Sequence, residues 1–292
     1  MKLKLIPALA LVFTTTGVFA QSETYQFEAA YTNISASDGA GMTQTGNQFG
    51  GTYYLKPVSI NTGAPQFEAE FLQRASNIGV AYRQSTYEDA TYASTSLDVP
   101  QIGAKLYLKD VVLGLQTGAW NKDLPLKSGA PSISVNSTTT NYEIGYFVLP
   151  NTSVSYINQN SKASYSANAG VNDLTITSNG LLSRTVMPVS GGQHVAFALS
   201  YNEITRKQAT TQVNTELGGS LRYYPETKMY VEVGYIQNSG DDKNNVGNKY
   251  SVGLGYAVTP RLGLTIASQR LSVADSAYAG STTTTLSAGY RF

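Results

Sequence analysis

The sequence predicts an all-β protein: a transmembrane antiparallel up-and-down barrel of about 14 strands, with 12 or 16 also compatible. Three observations carry that reading. Apolar and polar residues alternate with period two along most of the chain from Tyr25 onward. Short, Pro- or Asp-containing turns take turns with longer Ser/Thr/Asn/Gly-rich connections. Charged residues make up only 13% of the chain while Tyr numbers 21 and Gly 27, a balance that fits strands and membrane interfaces better than amphipathic helices.

The chain opens with MKLKLIPALALVFTTTGVFA. Lys2 and Lys4 precede an apolar run from Leu5 to Phe13, and small residues lead to Ala20. This is the pattern of a secretory signal peptide over residues 1–20 with cleavage after Ala20, leaving 21–292 as the barrel. The apolar run is too short for a membrane helix, which needs about 20 residues. No later segment approaches that length, so a membrane form of this protein must cross as strands. Cysteine is absent, which excludes both a disulfide framework and an anchor acylated on cysteine. Lys and Arg total 20 against 19 Asp and Glu, and this near balance leaves no basic footprint for nucleic acid.

The first strand is read over Tyr25–Asn33, where Tyr25, Phe27, Ala29 and Tyr31 share one face. Gly46–Lys56 follows. The next connection, PVSINTGAPQFEAEFLQRAS, is the least regular. It could hold an extra strand over Gln66–Leu72 or a short helix within a long turn, and the turn is preferred because an added strand makes the count odd. Asn77–Glu88 and Val99–Leu108 come next, and the latter turns tightly at Lys109-Asp110 into Val111–Trp120. Thr140–Leu149 turns at Pro150-Asn151 into Thr152–Asn160. Asp173–Val186 is the weakest pattern. Gln193–Ile204, Gln212–Tyr224, Lys228–Asn238, Asn248–Val258, Leu262–Val273 and Ser281–Phe292 complete the set. Within it, Tyr250, Val252, Leu254, Tyr256 and Val258 alternate with Ser251, Gly253, Gly255 and Ala257 before the turn at Thr259-Pro260-Arg261. Stretches such as Asn121–Thr139 and Ser239–Gly247 read as long loops. With a periplasmic N-terminus, the short turns all fall on the periplasmic side and nearly every longer loop outside, the connection before Asn77 being a long periplasmic turn. Barrel closure is then required, because hydrocarbon offers no partner to an open sheet edge.

A charge on the lipid face costs about 2 to 4 kcal/mol for Arg or Lys at the midplane. Glu28, Arg83, Lys105, Glu143, Glu216, Arg222, Glu232 and Arg291 fall on the opposite phase and are expected to line a pore. Their mixed signs predict weak charge selectivity; pairing across the lumen is the competing role. Tyr54, Tyr107 and Tyr224 share the inward phase, where they could meet sugars or other solutes or simply fill space. Trp120 is placed in an aromatic girdle at the outer rim. His194, the single histidine, reads as an ordinary strand-end residue, because no triad or ligand set accompanies it. Asp241-Asp242 reads as a solvated loop. No catalytic, cofactor or metal site is expected, and no enzyme activity.

In YQFEAAYTN, GTYYLKPV, FEAEFLQRASNIGVAY, YAVTPRLGLTIA and the terminal LSAGYRF, the chain resembles a family of small outer-membrane porins of Gram-negative bacteria. The resemblance implies bacterial outer-membrane localisation and passive diffusion of water and small hydrophilic solutes through a lumen narrowed by loops, as a monomer or a homo-oligomer. It implies no catalytic residue and no cofactor. Tyr290 and Phe292 are similar to the C-terminal aromatic signal of outer-membrane barrels, which implies contact with the barrel-assembly machinery and then with outer-membrane lipid. The alternative is a surface adhesion barrel whose outer loops bind a host partner.

Overall fold

Alternation forces each strand to present one apolar and one small or polar face, and a sheet with one face of each kind can satisfy all its edges only by closing on itself. In a computed structural model the described residues are 24–38, 43–60, 63–88, 94–124, 132–166, 172–241, 246–273 and 280–292. The signal-peptide reading of residues 1–20 lies outside them. The strands are β1 (Thr24–Asp38), β2 (Thr43–Ser59), β3 (Asn77–Glu88), β4 (Thr95–Leu108), β5 (Val111–Leu124), β6 (Ile133–Leu149) and β7 (Thr152–Tyr165). The second half comprises β8 (Leu174–Pro188), β9 (His194–Lys207), β10 (Thr211–Glu226), β11 (Met229–Gly240), β12 (Gly247–Ala257), β13 (Leu262–Val273) and β14 (Ser281–Arg291). Each strand pairs antiparallel with its sequence neighbours, and β1 closes the barrel on β14.

The closing seam runs in register from Glu28↔Arg291 to Asp38↔Ser281. Beyond it, Phe292 donates its backbone N–H to the Phe27 carbonyl at 2.8 Å and accepts from Gln26 N–H at 2.9 Å. The terminal residue is thus held by the ladder, and its ring lies 5.5 Å from that of Phe27. Phe27, Tyr53, Leu115, Ile144, Leu199, Val233, Leu254 and Ile266 are exposed on the outer surface. A continuous apolar belt of this kind is matched to hydrocarbon, not to water. No helix among the described residues is long and apolar enough to cross a membrane.

Several stretches that composition marks as loop are strand. β5 runs on to Leu124 and β6 begins at Ile133, paired from Thr117↔Thr140 to Leu124↔Ile133; residues 125–131 lie outside the described set. Thr and Val in SISVNSTTT suit a pleated surface, and the cross-strand partner supplies what the polar composition conceals. The same extension moves Trp120. It sits opposite Ser137, in unbroken register with Gly118↔Thr139 and Gln116↔Asn141, so it shares the lumen-facing phase instead of belonging to an outer girdle.

Candidate functional site: a charged plug in the barrel mouth

The connection between β2 and β3 is a short helix in a long turn, and it folds into the short-turn mouth of the barrel. Pro65 precedes a 3₁₀ turn over Gln66–Glu68, followed by helix α1 (Ala69–Leu72). Phe67 and Phe71 are four apart, so a helical path sets both on one face. The turn ends at Arg74, whose φ of 52° lies in the left-handed region. Gln73 fixes the return by accepting from the Ser59 N–H at 2.7 Å and donating to the Ser59 carbonyl at 2.6 Å.

This plug reaches far from its own strands. Gln66 N–H donates to the Thr227 carbonyl in the β10–β11 turn at 2.9 Å. Counted around the ring, that turn is on the opposite side from β2 and β3. Arg74 Nη1 donates to Asp110 Oδ1 at 2.5 Å and to the Lys109 carbonyl at 3.0 Å. Two apolar clusters seat the plug. Phe71 packs with Val112, Phe147, Val186, Ala196, Tyr224 and Tyr230, flanked by Phe67, Leu72 and Tyr107. Ala69 and Ala75 pack with Tyr25, Tyr54, Val58 and Ile60. The barrel wall makes room for it: a Cβ at Gly263 would sit 3.3 Å from the Phe67 ring, and one at Gly255 would overlap Tyr230.

Two plug carboxylates meet the wall. Glu68 is 1% exposed and accepts from Tyr224 Oη at 2.6 Å, Arg222 Nη1 at 3.0 Å and Arg184 Nη2. Glu70 accepts from Tyr25 Oη at 2.5 Å and from Arg291 Nη2 at 3.4 Å. Glu68, the more deeply buried of the two, is tolerable as a carboxylate only because both of its oxygens are matched by donors and cations. The guanidiniums are held in turn by aromatic faces: Arg222 lies 4.2 Å over Tyr230, Arg184 4.5 Å over Phe71 and Arg291 4.8 Å over Tyr25.

All eight sequence-predicted lumen residues lie on the inward phase, and seven of them form ion pairs. Arg291 binds Glu28 at 2.8 Å, Arg222 binds Glu232 at 2.7 Å, Lys105 binds Glu143 at 2.8 Å and Lys249 binds Glu216 at 2.6 Å. Arg83 donates to Ser85 Oγ at 2.9 Å. Lys105 and Glu143 reach each other across Gly114, where a Cβ would approach that of Glu143 to 3.0 Å. Tyr54 and Tyr224 do not face the open lumen; both are buried under the plug. Tyr107 packs against the same cluster. His194 opens β9 opposite Tyr224, and its Nδ1 is buried without a partner. The Asp241 carboxylate accepts from Val213 N–H at 3.1 Å, while Asp242 lies outside the described residues. Among the described residues no group of three or more His, Asp or Glu is placed to hold a metal ion.

Sequence reasoning missed Glu68, Glu70, Arg74 and Arg184. The signal was present in part: Phe67 and Phe71 at helical spacing, and Arg184 on the inward phase of β8. What was missing was a reason to bring the turn inside.

Above the plug, the lumen wall of β1 to β7 is lined mostly with small and neutral polar residues, beside the paired Lys105 and Glu143. Gly50, Gly79, Gly103 and Gly114 alternate with Gln48, Gln101, Gln116, Asn141 and Gln159 around a cavity of about 520 Å³. Asn141 Oδ1 faces this region as a buried acceptor with no protein partner.

No family model matches the chain, and no curated protein matches it in sequence. Solved structures match it in fold. Outer membrane protein Omp33 of Acinetobacter baumannii is 19% identical, with a TM-score of 0.56 covering 93% of this chain and 100% of that one. The toluene transporter TbuX of Ralstonia pickettii is 8% identical, with a TM-score of 0.57 over 92% and 90%. A deltaS2S3 mutant of the monoaromatic hydrocarbon channel TodX is 10% identical, with a TM-score of 0.51 over 93% and 91%. At these identities the likeness is one of fold: a closed barrel of the kind bacterial outer-membrane channels use.

Proposed function

We propose that the protein is an outer-membrane porin through which water and small hydrophilic solutes diffuse passively, with weak charge selectivity and a periplasmic mouth narrowed by residues 63–76. The observation that carries this reading is the cavity above the plug, which glycines keep clear and neutral amides line. A barrel of eight strands is already just filled by its side chains, and this wider one spends many inward positions of its β1 to β7 wall on residues too small to fill it. The paired charges leave little net field along the path, which favours weak selectivity. TbuX and TodX are named for hydrocarbons, but an amide-lined wall favours solutes that form hydrogen bonds. The reading is of a channel and not of an enzyme. Narrowing is assigned to the short-turn segment, not to an outer loop.

Osmotic swelling of liposomes with sugars of graded size, alongside single-channel recording, tests the proposal. Size-dependent swelling is expected; folded protein that leaves vesicles no more permeable than protein-free controls would overturn it. The assembly role of the C-terminus is tested separately. Deleting Phe292 removes the last ladder bonds to β1, and the fraction of folded barrel in the outer membrane is expected to fall while the conductance of inserted molecules stays the same.

A further inference from the structure

Glu68 occupies a site that the wall supplies in full. Arg184 comes from β8, Arg222 and Tyr224 come from β10, and all three direct donors at one carboxylate. Their commitments elsewhere are unequal. Arg222 spends Nε and Nη2 on Glu232, leaving Nη1 for Glu68 at 3.0 Å and the Tyr224 hydroxyl at 3.3 Å. Arg184 pairs with Glu68, and its side chain keeps 35% of its surface exposed. A cavity of about 280 Å³ touches Glu68, Arg184, Arg222, Glu232 and Ser220, so both arginines can be approached from it, while Tyr224 is uncovered only when the plug moves.

We propose that Arg184, Arg222 and Tyr224 form a binding site for a small monocarboxylate solute, and that Glu68 of the plug is its resident, competing ligand. The charge count selects the class. With Glu68 withdrawn, two arginines face the single remaining carboxylate of Glu232, and one net positive charge is left. A monocarboxylate restores neutrality, whereas a dicarboxylate overshoots it. The planar fork of Arg184, with Arg222 Nη1 beside it, favours a carboxylate over a spherical anion such as chloride. Occupation by solute displaces Glu68 and loosens the plug, so ligand binding and opening of the mouth are one equilibrium. The inference deepens the porin reading, on which its transport consequence rests, but binding itself is measurable without transport.

The test uses the full barrel in detergent with propionate as probe, at constant chloride and ionic strength. Glu68→Gln removes the competing charge and keeps the shape. It is expected to bind propionate about ten-fold or more tightly than the wild type, whose site is free only in the fraction of molecules with a displaced plug. Adding Arg184→Gln to this variant is expected to abolish the gain. The absence of cysteine allows a second readout that retains Glu68. In Ala69→Cys, a buried plug position, propionate is expected to speed maleimide labelling, while added chloride does not. Equal propionate affinity in wild type and Glu68→Gln, or labelling that responds alike to propionate and chloride, overturns the site. Failure of sugar permeation with propionate binding intact would instead count against the porin reading alone.

Discussion

The lumen has two unlike regions. On the β1 to β7 wall the inward positions around open space are mostly Gly, Ala, Gln and Asn, with the paired Lys105 and Glu143 among them. At the short-turn mouth they are Arg, Glu and Tyr, packed against aromatic rings and a helical turn. The first region obeys strand periodicity, and its residues act through what they leave empty. The second depends on contacts between distant parts of the chain: Glu68 to Arg222, Glu70 to Arg291, Gln66 to the turn at Thr227. The wall can be altered piecemeal, whereas the plug is a coupled unit in which removing one partner strands another.

The largest test of this contrast replaces residues 63–74 with a short Gly/Ser turn. If the plug sets the narrowest section, single-channel conductance is expected to rise on the order of ten-fold, since the narrowest section of a pore limits flow. An unchanged conductance would place the constriction elsewhere in the lumen.

Glu68→Ala is expected to have the next largest effect. It leaves Arg184 without its carboxylate and Arg222 with Glu232 alone; since Arg184 is 35% exposed and Arg222 remains paired, the cost should fall below the roughly 3–5 kcal/mol typical when one member of a fully buried pair is removed. The loss should be local. Hydrogen exchange at the amides of residues 63–76 should accelerate, while the β3 to β6 ladders keep their protection. Acceleration spread evenly over the barrel would mean that plug and wall are not separate units.

Gly255→Val probes the same unit from the wall side. The added side chain overlaps the Tyr230 ring, which packs edge-on to Phe67 at 5.0 Å. Overpacking of this kind costs about 1–3 kcal/mol, and plug amides should again exchange faster than wall amides. Equal exchange in mutant and wild type would show that Tyr230 can move aside without disturbing the plug.

The two regions also differed in how far the sequence disclosed them. Tyr250 to Val258 on one phase, with Ser251, Gly253, Gly255 and Ala257 on the other, fixes a strand and its lipid face without further information, and the registers of β11 to β13 agree with it. Inward charges followed from the same phase, because a misplaced charge in hydrocarbon is expensive. Strand ends were less visible: Asn121 to Leu124 and Ile133 to Thr139 look like loop until paired. The plug was least legible. FEAEFLQR permits a short helix, but its inward course depends on Gly263 leaving room for Phe67 and on the arginines that wait for it, Arg184 and Arg222 across the lumen and Arg291 near the closing seam. Neither condition has a local signature. Trp120 was misplaced for a related reason: its phase was countable, but the end of its strand was not.

The smallest expected effect belongs to the open wall, in Lys105→Ala. Lys105 and Glu143 are both partly exposed, at 36% and 20% of their side-chain surface, so solvent weakens their attraction and the loss of stability should stay below about 1 kcal/mol. Glu143 still accepts from Ser155 Oγ at 2.9 Å and therefore is not stranded as Arg184 would be. What changes is the field. One positive charge disappears beside the cavity while Glu143 remains, so the reversal potential in a salt gradient should move slightly toward cation preference. Salt screens such a change, because the Debye length shortens from about 10 Å at 0.1 M to about 3 Å at 1 M. The shift should therefore be measurable in dilute salt and vanish in concentrated salt, with plug exchange rates unaltered. A shift that persists at high salt, or plug amides that open in this variant, would mean that the wall and the mouth are coupled after all.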